Sequence, residues 1–140
     1  MKLLLLLFVL LNFTACESKP STYERNKGYG IPWEKSLESA FEKAKQENKT
    51  LMIMAVSDGC VWCEKMKKKT LSEPKVAQKL KNYVLVMADR ETESERNQIP
   101  AFKHVPIIFF MTPEKETLDN LRGYFSPDDF LEYLTDFEEE

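Results

Sequence analysis

Two cysteines, Cys60 and Cys63, are separated by two residues and directly follow a nearly continuous apolar segment, Thr50 to Ser57. Thiols at this spacing can close a disulfide within one helical turn, so the pair can cycle between dithiol and disulfide. The free N–H groups and the positive dipole end of a helix N-terminus stabilise a thiolate, which is the nucleophilic form of cysteine. A helix that begins at Cys60 therefore predicts that Cys60 attacks a disulfide and that the more shielded Cys63 resolves the mixed disulfide.

The third cysteine, Cys16, follows a leader-like segment in which Lys2 precedes the apolar run Leu3 to Leu11. A run this short is typical of a signal peptide, because a membrane-spanning helix needs about 20 apolar residues. The residues Phe13-Thr14-Ala15-Cys16 resemble a bacterial lipobox, although Phe13 departs from its usual aliphatic residue. We predict a lipoprotein signal peptide over 1–15 and lipidation of Cys16. An ordinary cleaved signal or an uncleaved anchor stays open.

Composition restricts the function classes. The chain has 140 residues, enough for about one domain, and a formal net charge of −3. Nucleic-acid binding needs a basic patch, and the one lysine cluster fits a solvated helix face better: Lys65, Lys67, Lys68 and Lys69. One C-x-x-C supplies only two of the four ligands of a structural zinc site, and haem attachment would need histidine where Glu64 stands. We expect no metal, no other cofactor and no nucleic acid.

The elements that must position the cysteines follow from apolar periodicity. A polar segment over 16–32 is predicted to be a tether, and a domain over 33–140 follows it. Helices are predicted over 33–47, with Asn48 at the end, over 60–70, from a restart capped by Ser72, and from Ser126. The polar segment 89–97 suits either a loop or a short exposed helix. Strands are predicted over 50–57, 83–88, 107–111 and, more weakly, 117–121. This order predicts an α/β protein with a central sheet covered by helices on both faces.

The sequence has a strand, then the C-x-x-C pair and a helix, and later Val105-Pro106 at the start of another strand. This order resembles the thioredoxin-like family over about Trp33 to Phe137. Two segments are similar to the C-terminal periplasmic domain of the thiol:disulfide interchange protein DsbD and to small thioredoxin-like lipoproteins: Asp58-Gly59-Cys60-Val61-Trp62-Cys63-Glu64 and Leu71-Ser72-Glu73-Pro74-Lys75-Val76. The resemblance implies a thioredoxin-like fold with a mixed sheet. It also implies a thiol:disulfide oxidoreductase that acts as a reducing carrier: a membrane electron donor feeds it, and it exchanges electrons with protein thiols or disulfides outside the cytoplasm. The sequence shows no dimerisation segment, so a monomer is expected.

The same resemblance implies a substrate-binding edge. Pro106 is expected to be a cis-proline that faces the cysteines, and the backbone of Val105 is expected to pair with an extended substrate segment. Val61 and Trp62 are expected to form an apolar lip that docks partners. A trans Pro106 at the start of a strand, and a Trp62 that only packs over its helix, are the structural alternatives.

Two departures from these relatives concern proton transfer at Cys63. Met54 stands where a buried acid is expected in the strand, and Lys67 stands where the DsbD domain has an acid on the active-site helix. Asp58, Glu64 and water are the remaining candidates for tuning or proton transfer. His104 is the sole histidine, and a lone histidine is more often structural. Its place two residues before Pro106 could still let it tune Cys60.

Two alternatives to a reducing carrier stay open. An oxidant or isomerase of the same fold would use the same residues, since Val61, Trp62 and Val105 do not fix the direction of electron flow. A non-enzymatic lipoprotein module with a structural disulfide is disfavoured, because a bond that closes so small a loop removes little entropy from the unfolded chain.

Overall fold

The computed structural model describes residues 18–140, so the predicted signal peptide and Cys16 lie outside the described residues. The helices are α1 (Thr22–Asn26), α2 (Leu37–Glu47), α3 (Val61–Lys65), α4 (Pro74–Leu80), α5 (Glu93–Arg96) and α6 (Pro127–Glu139). A π-helical segment, Met66–Leu71, continues α3. The strands are β1 (Thr50–Val56), β2 (Tyr83–Asp89), β3 (Ile107–Met111) and β4 (Thr117–Arg122). Among these residues, no helix has the length and apolarity needed to span a bilayer.

The strands form one mixed sheet in the order β2-β1-β3-β4. The central strand β1 pairs in parallel with β2 and antiparallel with β3, and β4 pairs antiparallel with β3 at the edge. The apolar runs of β1, β2 and β3 suit strands that are covered on both faces, and almost all of their residues are buried. The predicted α/β fold of the thioredoxin-like type, with a mixed sheet between two helical layers, is confirmed.

Alternate residues of each strand enter two separate apolar cores. The first core lies beneath α3, α4 and α6 and includes Met52, Met54, Phe110, Cys63, Val76 and Phe130. The second core lies beneath α2 and includes Leu51, Ile53, Phe109, Leu37, Phe41 and Ala44. Because α3 covers the first face, the cysteine pair sits at the end of β1 on that side of the sheet.

One predicted helix start and one predicted helix cap are wrong. Helix α2 begins at Leu37, because Ser36 forms a capping box with Ser39. The apolar Trp33, predicted to open this helix, instead packs in the first core on the opposite face of the sheet. Helix α4 is capped by Glu73, whose carboxylate accepts the N–H groups of Lys75 and Val76, and not by Ser72. The other predicted caps hold: Asn48 is left-handed, with a φ of 50°, and Ser126 caps α6.

The segment before Trp33, predicted to be a tether, contains α1 and packs on the domain. The hydroxyl of Thr22 is buried and donates to the carboxylate of Glu95, and Tyr23 packs against the first core. The Arg25 guanidinium forms ion pairs with Asp58 and with the buried Asp89. Most of the contacts between α1 and the domain are made by polar groups. The sequence around α1 therefore shows no apolar periodicity and resembles that of a flexible linker.

Candidate active site

The cysteine pair lies at the first turn of α3, which follows the end of β1 after a short turn. Cys60 is the N-cap residue of α3 and is disulfide-bonded to Cys63, with 5.2 Å between their Cα atoms. The turn between β1 and α3 passes through Gly59, whose φ of 72° lies in the left-handed region that favours glycine. Cys60 is partly exposed, whereas Cys63 is 1% exposed within the first core. This difference in access is the one that an attacking Cys60 and a resolving Cys63 require.

The peptide bond between Val105 and Pro106 is cis, in agreement with the expectation from the resemblance. Val105 and Cys60 are both partly buried against the first core. The carbonyl of Pro106 accepts a hydrogen bond of 2.9 Å from the N–H of Gly123, which joins this loop to the end of β4. The roles of Val105 and Pro106 in binding substrate stay predictions.

Val61 and Trp62 form an exposed apolar surface directly after Cys60. Val61 is 75% exposed and Trp62 is 53% exposed. One side of the Trp62 ring lies against Tyr124, with 5.7 Å between ring centroids, and the ammonium of Lys65 lies over both rings. The indole is therefore held in place while more than half of its surface stays open, as a docking lip requires. Tyr124 carries no motif that could have placed it here from the sequence.

Lys67 is buried, which corrects the prediction that all four lysines of its cluster form a solvated face. Its side chain is 1% exposed, while Lys65, Lys68 and Lys69 are exposed as predicted. The ammonium of Lys67 donates to the backbone carbonyl of Asn26 at 3.0 Å and forms an ion pair with Glu64. A lysine can be buried in this way because its stem is apolar and the end of α1 supplies partners for its charge.

Glu64, next to Cys63, is held in its ionised form. Its partial burial raises the pKa of the carboxyl, but hydrogen bonds from Lys67 and Tyr29 outweigh that effect, and the net pKa is lowered. The Tyr29 hydroxyl donates to Glu64 at 3.0 Å, and the carboxylate raises the pKa of this tyrosine. At neutral pH Glu64 is therefore a hydrogen-bond acceptor and a poor proton donor to the thiolate of Cys63.

Of the other residues considered for tuning or proton transfer, Asp58 and His104 are exposed and Met54 is buried and apolar. Asp58, in the turn before Cys60, is exposed and pairs with the Arg25 guanidinium at 3.3 Å. Met54 is fully buried in the first core, so the position expected to hold a buried acid is apolar. His104 is exposed in the loop before Pro106 and makes no side-chain hydrogen bond with the part of the chain that the structure describes. The proton-transfer group for Cys63 stays unassigned.

Helix α1 forms one wall of a cleft beside Cys60. The cleft has a volume of about 280 Å³ and is lined by Arg25 and Asn26 of α1 as well as by Asp58 and Glu64. Sequence reasoning missed Arg25, Asn26 and Tyr29, because they lie in the segment predicted to be a tether. Their polar character carries no signal of the contacts they make across the fold.

Comparisons with known proteins agree with this geometry. A family model described as thioredoxin-like matches residues 32–113. The chain is 32% identical to the thiol:disulfide interchange protein DsbD of Vibrio cholerae over 106 residues, which is 71% of this chain and 18% of that protein. It is 25% identical to mouse anterior gradient protein 3 over 107 residues, which is 76% of this chain and 65% of that protein. The chain thus spans less than two thirds of the length of both relatives.

Solved structures show the same fold. A thioredoxin from Thermus thermophilus superposes with a TM-score of 0.61 at 23% identity, covering 72% of this chain and 82% of that one. The oxidised C-terminal domain of DsbD from Neisseria meningitidis superposes with a TM-score of 0.58 at 21% identity, covering 71% of this chain and 91% of that domain.

Proposed function

The chain belongs to the thioredoxin-like family, and from this premise we propose that it is a thiol:disulfide oxidoreductase that acts as a reducing carrier outside the cytoplasm. The observation that carries the proposal is the disulfide at the first turn of α3, in which Cys60 is accessible and Cys63 is buried. The cis bond before Pro106 and the exposure of Val61 and Trp62 support the proposal that a protein partner docks on these residues.

The reducing half-reaction uses the protein as a dithiol. The thiolate of Cys60 attacks one sulfur of a partner's disulfide, forming a mixed disulfide while the other partner sulfur leaves as a thiolate. Cys63 then loses its proton and attacks the sulfur of Cys60, which releases the second partner thiolate. Two electrons pass to the partner, and the Cys60–Cys63 disulfide results. An electron donor, proposed to be a membrane protein that carries a dithiol, returns the pair to the reduced form.

The direction of electron flow is proposed from the similarity to DsbD. The equilibrium reduction potential of the Cys60–Cys63 pair against glutathione tests it. We expect a value near that of thioredoxin, about −270 mV, together with rapid reduction of insulin disulfides. A value near that of DsbA, about −120 mV, would overturn the reducing role and favour the oxidant or isomerase alternative.

The location outside the cytoplasm and the membrane anchor are proposed from the sequence before residue 18. The mature chain is proposed to begin at a lipidated Cys16, followed by a short linker and the thioredoxin-like domain. A metabolic fatty-acid label is expected in the full chain when it is produced in a bacterium that modifies lipoproteins, and the label should disappear in Cys16→Ala. Labelling that persists in Cys16→Ala would contradict the assignment.

A further inference from the structure

A second and larger cavity opens on the face of the sheet opposite to the cysteine pair. It has a volume of about 760 Å³ and lies between the segment 100–105 and β4. The cavity exists because α2 packs mainly against β1 and β2, which leaves the edge strand without a covering helix on this face. Phe102 closes part of the gap by packing edge-on against Phe109, with 6.0 Å between ring centroids. Asn120 and Arg122, opposite Phe109 and Ile107 in the ladder, stay uncovered by helix.

The rim of this cavity is cationic. Lys103 and His104 are exposed on the loop side, Arg122 is exposed on the strand side, and no carboxylate lines the cavity. Neither Lys103 nor Arg122 forms an ion pair within residues 18–140. The chain has 23 acidic and 20 basic residues, so its net charge is negative. The two exposed cations without acidic partners therefore make this cavity more positive than the chain as a whole. Such a rim attracts carboxylates and repels cationic segments.

The cavity is continuous with the edge on which a substrate is expected to bind. Val105 and Pro106 belong to its wall, and Val105 packs against both apolar cores, the first of which Cys60 also contacts. A partner segment that paired with the backbone of Val105 would therefore lie at the wall of the cavity, within reach of its cationic rim. Phe102 and Phe109 would offer an apolar floor to a side chain on that segment.

We propose that this cavity binds an acidic extended segment of the partner protein, adjacent to the partner's redox-active cysteine. The acidic side chains contact Lys103 and Arg122, His104 contributes a ring N–H donor, and an apolar side chain rests on Phe102. This inference rests on the proposed thiol:disulfide exchange and adds the chemical class of the partner. Lys103 and Arg122 are both exposed, so each adds little to the affinity for a partner. Their main effect is to speed the encounter with acidic partners and to disfavour cationic ones.

The test uses the reduced full-length chain and three disulfide-linked peptide dimers. The peptides are identical apart from three positions beside the cysteine, which are all Glu, all Gln or all Lys. We expect kcat/KM to be about tenfold higher for the Glu peptide than for the Lys peptide at low ionic strength, and the preference to shrink as salt is added. The double variant Lys103→Glu/Arg122→Glu should lose or reverse this preference.

The matched control is the double variant Lys68→Glu/Lys75→Glu, which makes the same change of net charge on exposed lysines of the other helical layer. It should keep the preference for the Glu peptide. Equal rates for the three peptides in the parent, or equal loss of preference in both double variants, would overturn the cavity assignment. Failure to reduce any peptide, the neutral one included, would instead contradict the proposed exchange activity. Thermal unfolding of each variant confirms that folded proteins are compared.

Discussion

The Cys63→Ser variant is expected to accumulate as a covalent mixed disulfide with its substrate, whereas Cys60→Ser is expected to form none. In the structure Cys60 is the accessible cysteine and Cys63 is buried behind it, so only Cys60 can meet a substrate disulfide first. Removing the resolving thiol leaves the first exchange intact and stops the second. Turnover should fall by about 1,000-fold or more in either variant, because residues that act as a unit fail together.

Non-reducing electrophoresis and mass spectrometry of each variant, mixed with a disulfide peptide, measure the trapped species. The control is the double variant Cys60→Ser/Cys63→Ser, which should form no adduct and should fold. An adduct on Cys60→Ser, or normal turnover by Cys63→Ser, would contradict the assigned roles. Absence of exchange in the parent together with unfolding of both single variants would instead favour a disulfide that only stabilises the fold.

Arg25→Ala is expected to lower the free energy of unfolding by about 3 kcal/mol, because it leaves a buried carboxylate without its cation. The side chain of Asp89 is 2% exposed at the end of β2, and the Arg25 guanidinium pairs with it. The same guanidinium pairs with Asp58, in the turn that leads to Cys60. The loss should therefore affect both the anchoring of α1 and the position of the active-site turn. Urea unfolding at neutral pH measures the change.

The control for this prediction is Lys27→Ala, two residues further along. Lys27 forms an exposed ion pair with Glu24 and its ammonium lies over the Tyr23 ring, so its loss should lower the unfolding free energy far less than Arg25→Ala does. The double variant Arg25→Ala/Asp89→Asn should recover part of the loss, since a neutral amide does not need the guanidinium. An Arg25→Ala protein as stable as Lys27→Ala would show that the buried pair makes no net contribution.

The parts of the fold and of the site that could be predicted are those that depend on residues close together in the sequence. The strands are continuous apolar runs, and the cysteine spacing, Asn48 and Ser126 each act through neighbours within a few residues. The cis bond before Pro106 is expected only from the family resemblance, because it depends on the surrounding fold and not on its two residues alone. These features cover the sheet, most helices and the cysteine pair.

The features that sequence reasoning missed all depend on partners far along the chain. Lys67 is buried because Asn26, 41 residues earlier, places a carbonyl above it, and a run of lysines gives no sign of that contact. Helix α1 is held by Asp89 and Glu95, more than 60 residues away, through polar contacts that leave no apolar pattern. Trp33 fits the helical spacing of α2, but the cap at Ser36 directs the chain so that its ring enters the other core.

The attachment of α1 to the domain would shorten the reach of the proposed lipid anchor at Cys16. A flexible segment over 16–32 could extend by about 60 Å, which would let the cysteine pair move freely above a membrane. The chain is held to α1 from Pro20 onward, because the Pro20 carbonyl accepts a hydrogen bond from Arg25, so Cys16 can lie at most about 14 Å from Pro20. Because Arg25 also contacts the turn before Cys60, a lipid on Cys16 would confine the redox centre to a thin layer of solvent beside the bilayer. Its partners would then have to present their disulfides at that same height.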